Sequence, residues 1–107
     1  MSAVGNRKST GFFGRGMYFA DDPNLSHGFT DPKGADHRVI FVCSVLLGRQ
    51  HDRSSTPIST PLGADFFPAI GYDSVKGRIV YNGTLREMEY IVYRYGQARI
   101  KYVLHYT

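Results

Sequence analysis

The 107-residue chain has no tryptophan and a single cysteine, Cys43, so no intrachain disulfide can form and stability has to come from packing. A reducing, intracellular setting, nuclear or cytoplasmic, is the expectation. Long hydrophobic runs are missing as well: the longest apolar stretch, residues 39–47, is interrupted by Ser44 and is far too short to span a bilayer. The opening Met-Ser-Ala-Val-Gly-Asn-Arg-Lys lacks the continuous apolar core of a secretory signal. Lys and Arg never cluster, so the net charge of +4 reads as a mildly basic solvated surface, and nucleic acid is not indicated by it. His27, His37, His51 and His105 stand in separate segments with no cysteine or carboxylate at ligand spacing, so no metal site is expected. A Walker loop and a nucleophile elbow are absent, which removes the commoner nucleotide-triphosphate and hydrolase readings.

What is abundant is aromatic residues and glycine: eight Tyr, seven Phe and twelve Gly. Rings cover pleated surface and glycine takes positive φ angles, so this balance suits a twisted sheet joined by tight turns. Residues 1–16 are rich in Gly, Ser, Asn and basic side chains and read as a flexible loop ending in Gly11-Phe12-Phe13-Gly14-Arg15-Gly16. Met17-Tyr18-Phe19-Ala20 is a short strand, and Asp22-Pro23 suits the start of a short helix through about His27. Residues 38–47 are β-branched and apolar on both alternating faces, which predicts a strand in the sheet interior. Residues 48–71, with Ser-Ser-Thr-Pro-Ile-Ser-Thr-Pro, read as a long loop. Extended residues 78–81 lead into Asn82-Gly83, a turn signal. Two strands close the chain. In the first, Glu89, Ile91 and Tyr93 share a face; in the second, alternation over residues 98–106 predicts one core side and one wet side. The fold class expected is α+β, with mostly antiparallel twisted sheets and short helices.

Four features bear on chemistry, and each has a plain structural alternative. Gly14-Arg15-Gly16 has the look of a phosphate cradle, but without the strand and long helix of a dinucleotide fingerprint a turn is the better reading. Glu89 stands on an otherwise apolar strand face, where a carboxylate needs either a structural partner or a functional purpose. Ser26 near a helix start suits capping, and Tyr18 suits a core.

Taken together and in order, these segments resemble the poly(ADP-ribose) polymerase catalytic domain, most closely its tankyrase-like and mono-ADP-ribosylating members. Gly-Phe-Phe-Gly-Arg-Gly-Met-Tyr-Phe-Ala at 11–20 resembles the end of the family's donor loop and its glycine-x-tyrosine-phenylalanine-alanine strand. Residues 39–48 resemble the next central strand, Gly71 to Gly77 the serine-valine turn, and Glu89-Tyr90-Ile91-Val92-Tyr93 the catalytic-glutamate strand. Gln97 and Lys101-Tyr102-Val103-Leu104 complete the match. The resemblance implies a partial diphtheria-toxin-type ADP-ribosyltransferase fold, with residues 1–107 as the C-terminal part of the catalytic domain, 1–16 as a donor-loop remnant and 48–71 as a long loop. It also implies NAD as substrate and protein acceptors as partners; no metal and no membrane partner are expected from the histidine spacing and the short apolar stretch.

By the same resemblance Tyr18 and Glu89 are the catalytic residues, and Gly16, Tyr18, Phe19, Ala20, Ser26 and Phe29 line the NAD site. Tyr18 would lay its ring on the nicotinamide, Ser26 would bond the carboxamide, and Phe29 would stack where the family usually has a tyrosine. Glu89 would bond the ribose 2′-hydroxyl. The departure from the family is the absence of a histidine-glycine-threonine strand upstream of Tyr18; His27-Gly28-Phe29 follows the tyrosine and is no substitute. That leaves exposed sheet edges and an incomplete core as expectations. Three functions follow. The chain is part of an enzyme that transfers ADP-ribose from NAD to protein with release of nicotinamide, inactive as an isolated fragment; or a catalytically silent interaction module; or a small basic β-domain that stacks single-stranded nucleic acid on exposed rings.

Overall fold

The computed structural model describes the backbone of residues 2–20 and 38–106, with side chains described over 11–20 and 41–105. Among the described residues nine strands appear in this order: β1 (Ser2–Gly11), β2 (Gly14–Ala20), β3 (Arg38–Val45), β4 (Gln50–Asp52), β5 (Ser74–Gly77), β6 (Val80–Tyr81), β7 (Thr84–Leu85), β8 (Glu89–Val92) and β9 (Ala98–Tyr106). A single 3-10 turn, Tyr95–Gln97, joins β8 to β9. Seven strands form one sheet in the order β4-β5-β8-β2-β1-β3-β9, and β6-β7 is a separate hairpin. Every pairing between named strands is antiparallel except β4 with β5. The strand-rich, mostly antiparallel architecture is the expected one, and among the described residues there is no α-helix. The short helix read at residues 22–27 lies outside the described residues.

Three expectations are corrected. Residues 2–11, read as loop, form β1, which pairs with β2 on one side and β3 on the other. Main-chain hydrogen bonds fill the gap between two strands whatever the side chains, so a polar Gly- and Ser-containing segment can serve as an interior strand. Residues 48–71 are not simply loop either. β4 lies within them, Ile58 bridges to Ile79, and the Leu62 N–H donates to the Phe12 carbonyl at 2.9 Å. Finally, among the described residues β9 has no core side beyond Ala98, which packs at its start. A bulge adds Lys101 between the pairs Val42↔Tyr102 and Cys43↔Ile100, which breaks the alternation and sends Ile100 and Tyr102 to opposite faces. Ile100, Tyr102, Val103 and Leu104 are all exposed on this edge strand.

The sheet is covered on both faces near its middle. On one face Met17, Phe19, Cys43, Val45 and Val92 pack together, flanked by Phe41, Leu47, Tyr90 and Ala98. On the other, Phe13, Tyr18, Val75 and Ile91 form a second cluster, flanked by Phe66, Ile58, Ile79 and Tyr93. The strand pairs explain this division: Tyr18 opposes Ile91, which opposes Val75, so all three point the same way. Asn82 and Gly83 adopt φ of 52° and 74° in the turn of the β6-β7 hairpin, as the Asn-Gly signal predicts.

Gln97 fastens the end of β8 to the rest of the sheet. Its side-chain carbonyl accepts from the Arg94 N–H at 3.0 Å and the Tyr93 N–H at 3.3 Å, while its amide donates to the carbonyls of Asp73 at 2.8 Å and Leu46 at 3.1 Å. One side chain thus ties together the turns that precede β9, β5 and β4.

Candidate active site

Glu89 is the first residue of β8, a strand flanked by β5 and β2. It pairs with Gly77 on β5. On the other side Phe19 pairs with Tyr90, and one further step along the antiparallel register sets Ala20 opposite Glu89. The carboxylate therefore stands on a sheet face between two of the smallest residues, and Glu89 is only 7% exposed. The phenyl ring of Phe13 covers Gly77 so closely that any Cβ there would overlap it. A glycine inside a strand marks such a close approach, and this is the local signal that points to Gly77 as part of the site.

Tyr18 shares this face and is a diagonal cross-strand neighbour of Glu89, a relation that places Cα atoms about 7–8 Å apart. Its ring, 4% exposed, lies against Gly11, where a Cβ would be 2.7 Å from the phenolic oxygen. The hydroxyl donates to the Gly14 carbonyl at 2.5 Å and accepts from the Phe13 N–H at 3.0 Å. Tyr18 thus braces the β1-β2 turn, and that turn carries Phe13 over Gly77. Tyr93 braces it from the other side by donating its hydroxyl to the Phe13 carbonyl at 2.7 Å. Burial, and secondarily the neighbouring Tyr18, push the Tyr93 phenol well above its ordinary range.

The remaining predicted residues divide by face. Ala20 is beside Glu89, and Gly16 lies on the same face, where a Cβ would come within 2.8 Å of the Ile91 Cγ2 atom. The side chain of Phe19 packs in the opposite cluster and is not brought to Glu89. Ser26 and Phe29 lie outside the described residues. Phe13 and Gly77 were missed by residue type: an unbranched ring and a hydrogen carry no reactive group, and only the strand pairing puts them beside the carboxylate. Among the described residues no group of three metal-ligating side chains occurs.

Such an arrangement holds a buried carboxyl group on a central strand between two small residues, one of them covered by the Phe13 ring. The model of the poly(ADP-ribose) polymerase catalytic domain matches residues 3–107. The chain belongs to that family. It is also 28% identical, over 105 residues, to the human protein mono-ADP-ribosyltransferase PARP4. That alignment covers 94% of this chain but 6% of the relative, so the chain spans a small part of that protein's length.

Proposed function

We propose that this chain carries the glutamate-bearing part of an NAD-dependent ADP-ribosyltransferase that moves ADP-ribose onto protein acceptors and releases nicotinamide. The observation that supports it most is Glu89, buried on a central strand between Gly77 and Ala20. Cleavage of the ribose–nicotinamide bond builds positive charge on the sugar. A carboxylate that accepts a hydrogen bond from the 2′-hydroxyl stabilises that charge more in the transition state than in the bound substrate. Glu89 is the residue for this role. Tyr18 contributes its ring, with the hydroxyl already engaged by the β1-β2 turn, and Gly16, Ala20, Ser26 and Phe29 complete the nicotinamide side. The fold that fits is the diphtheria-toxin-type transferase fold, of which the seven-stranded sheet is one part. Cys43, a buried free thiol raised by desolvation, suits an intracellular setting, nuclear or cytoplasmic.

A catalytically silent module is the competing reading, and the space over Gly77, filled by Phe13, favours it. The test is NAD-dependent nicotinamide release and self-modification, measured on this chain, on a version extended upstream to include a histidine-glycine-threonine strand, and on Glu89→Gln in the extended version. The transferase reading expects activity in the extended form, absence of activity in the short one, and a fall in kcat of about 100-fold or more in Glu89→Gln with little change in NAD affinity. An inactive extended form would leave the silent module.

A further inference from the structure

Gly77 is a glycine for reasons of space. Its backbone is ordinary strand with no positive φ, yet the Cζ, Cε1 and Cε2 atoms of Phe13 fill the place where a Cβ would stand. Gly77 and Glu89 are direct partners in the antiparallel β5-β8 register, so their side-chain directions share a face and their Cβ positions are about 4.5–5.5 Å apart. The tip of the Phe13 ring therefore stands beside Glu89, in the position that the side chain of a cross-strand partner would otherwise take.

The backbone of Phe13 is held on both sides. Its N–H donates to the Tyr18 hydroxyl at 3.0 Å, and its carbonyl accepts from the Tyr93 hydroxyl at 2.7 Å. Its neighbours in the turn are held too. The Phe12 carbonyl accepts from the Leu62 N–H at 2.9 Å, and Gly14, at a φ of 82°, lies so close to the Phe66 carbonyl that a Cβ there would overlap it. A ring that is 1% exposed, on a turn anchored by β2, β8 and the 62–66 segment, is a fixed wall and not a movable plug.

We propose, resting on the transferase reading, that Phe13 is a positioning residue for Glu89 and that Tyr93 acts through it. Glutamate is a rotamer-rich side chain, and its two strand neighbours, Gly77 and Ala20, are too small to restrain it. The ring closes the Gly77 flank. It removes the rotamers that turn the carboxyl toward β5 and directs the group toward β2, the strand that carries Gly16, Tyr18 and Ala20. The carboxyl is then oriented for the ribose 2′-hydroxyl before substrate arrives, which leaves less ordering to be done in the transition state.

The experiment is steady-state nicotinamide release by the version extended upstream, with thermal unfolding followed in parallel. Phe13→Leu removes the three ring atoms that lie over Gly77, and Gly77→Ala pushes the same atoms aside. Each lowers kcat about 10- to 100-fold while KM for NAD changes by less than about threefold. In the double variant the added methyl takes the place of the lost ring atoms, and kcat recovers to within about threefold of the wild type. Tyr93→Phe, which frees the Phe13 carbonyl, lowers kcat about three- to tenfold. Val45→Ala, in the cluster on the opposite face of the sheet, lowers the melting temperature and leaves kcat unchanged. A rise in kcat in Phe13→Leu would make the ring an autoinhibitory plug, and an unchanged kcat would leave it a packing residue. A double variant no better than the single ones would show no fit between residues 13 and 77, and an equal fall in Val45→Ala would trace the loss to stability alone. Each of these overturns the proposal while an active enzyme keeps the transferase reading in place; an inactive extended form overturns both.

Discussion

Strands β8 and β9 are written in the same language. Both are rich in Ile, Val and Tyr. Yet Ile91 and Val92 on β8 are fully buried, while Tyr102 on β9 is 64% exposed with Ile100, Val103 and Leu104 exposed around it. The difference lies in their neighbours. β8 has a strand on each side and a packed cluster on each face, whereas β9 is an edge strand that the described residues leave largely uncovered beyond Ala98. Apolar composition supplies the capacity for burial, and position in the sheet decides whether it is used.

The comparison is broken most directly at Ile91. Ile91→Ala opens a hole between Tyr18, Val75 and Phe13 and is expected to lower stability by about 2–5 kcal/mol in urea unfolding. If the loss is under about 1 kcal/mol, the two-faced core around β8 is not the stabilising centre of the molecule.

A smaller effect is expected from Tyr93→Phe, which leaves the Phe13 carbonyl without that donor and costs about 1–2 kcal/mol at neutral pH. The same variant sharpens the pH dependence. Burial raises both the Tyr93 phenol and the Cys43 thiol, so the folded state holds these protons more tightly than the unfolded chain. Their contribution is whole below the unfolded values, about 8.5 for a thiol and about 10 for a phenol, and is lost as pH rises beyond them. Melting temperature should fall between about pH 9 and 11, and less steeply above pH 10 in Tyr93→Phe. Equal slopes would mean that the phenol is not held protonated by the fold.

The smallest effect belongs to β9. Leu104→Ser should change stability by no more than about 0.5 kcal/mol and reduce self-association, since an exposed apolar edge strand is a template for pairing. A loss comparable to that of Ile91→Ala would show that β9 is covered in solution.

Much of the fold was legible because its signals are local. Met17 to Ala20, residues 38–45, the Asn82-Gly83 turn and the Glu89 strand each carry their periodicity or turn chemistry within a few residues. β1 was not legible, because an interior strand with a polar sequence is recruited by the open edges of β2 and β3, which lie elsewhere in the chain. The bulge at Lys101 was hidden for a similar reason: one extra residue changes faces only relative to a partner strand. At the site, Glu89 announced itself as a charge on an apolar face. Phe13, which carries no reactive group, became part of the site only through the turn that Tyr18 and Tyr93 hold.

The sequence by itself determined the family and the strand-rich class, since ordered motifs and alternation are properties of residue order. Tertiary structure alone decided that Tyr18 spends its hydroxyl on the β1-β2 turn, that Phe19 faces away from Glu89, and that Arg53 and Arg94 lie over Phe66 and Phe67. Those are statements about which distant segments become neighbours, and neighbourhood is set by strand pairing and packing across the whole sheet.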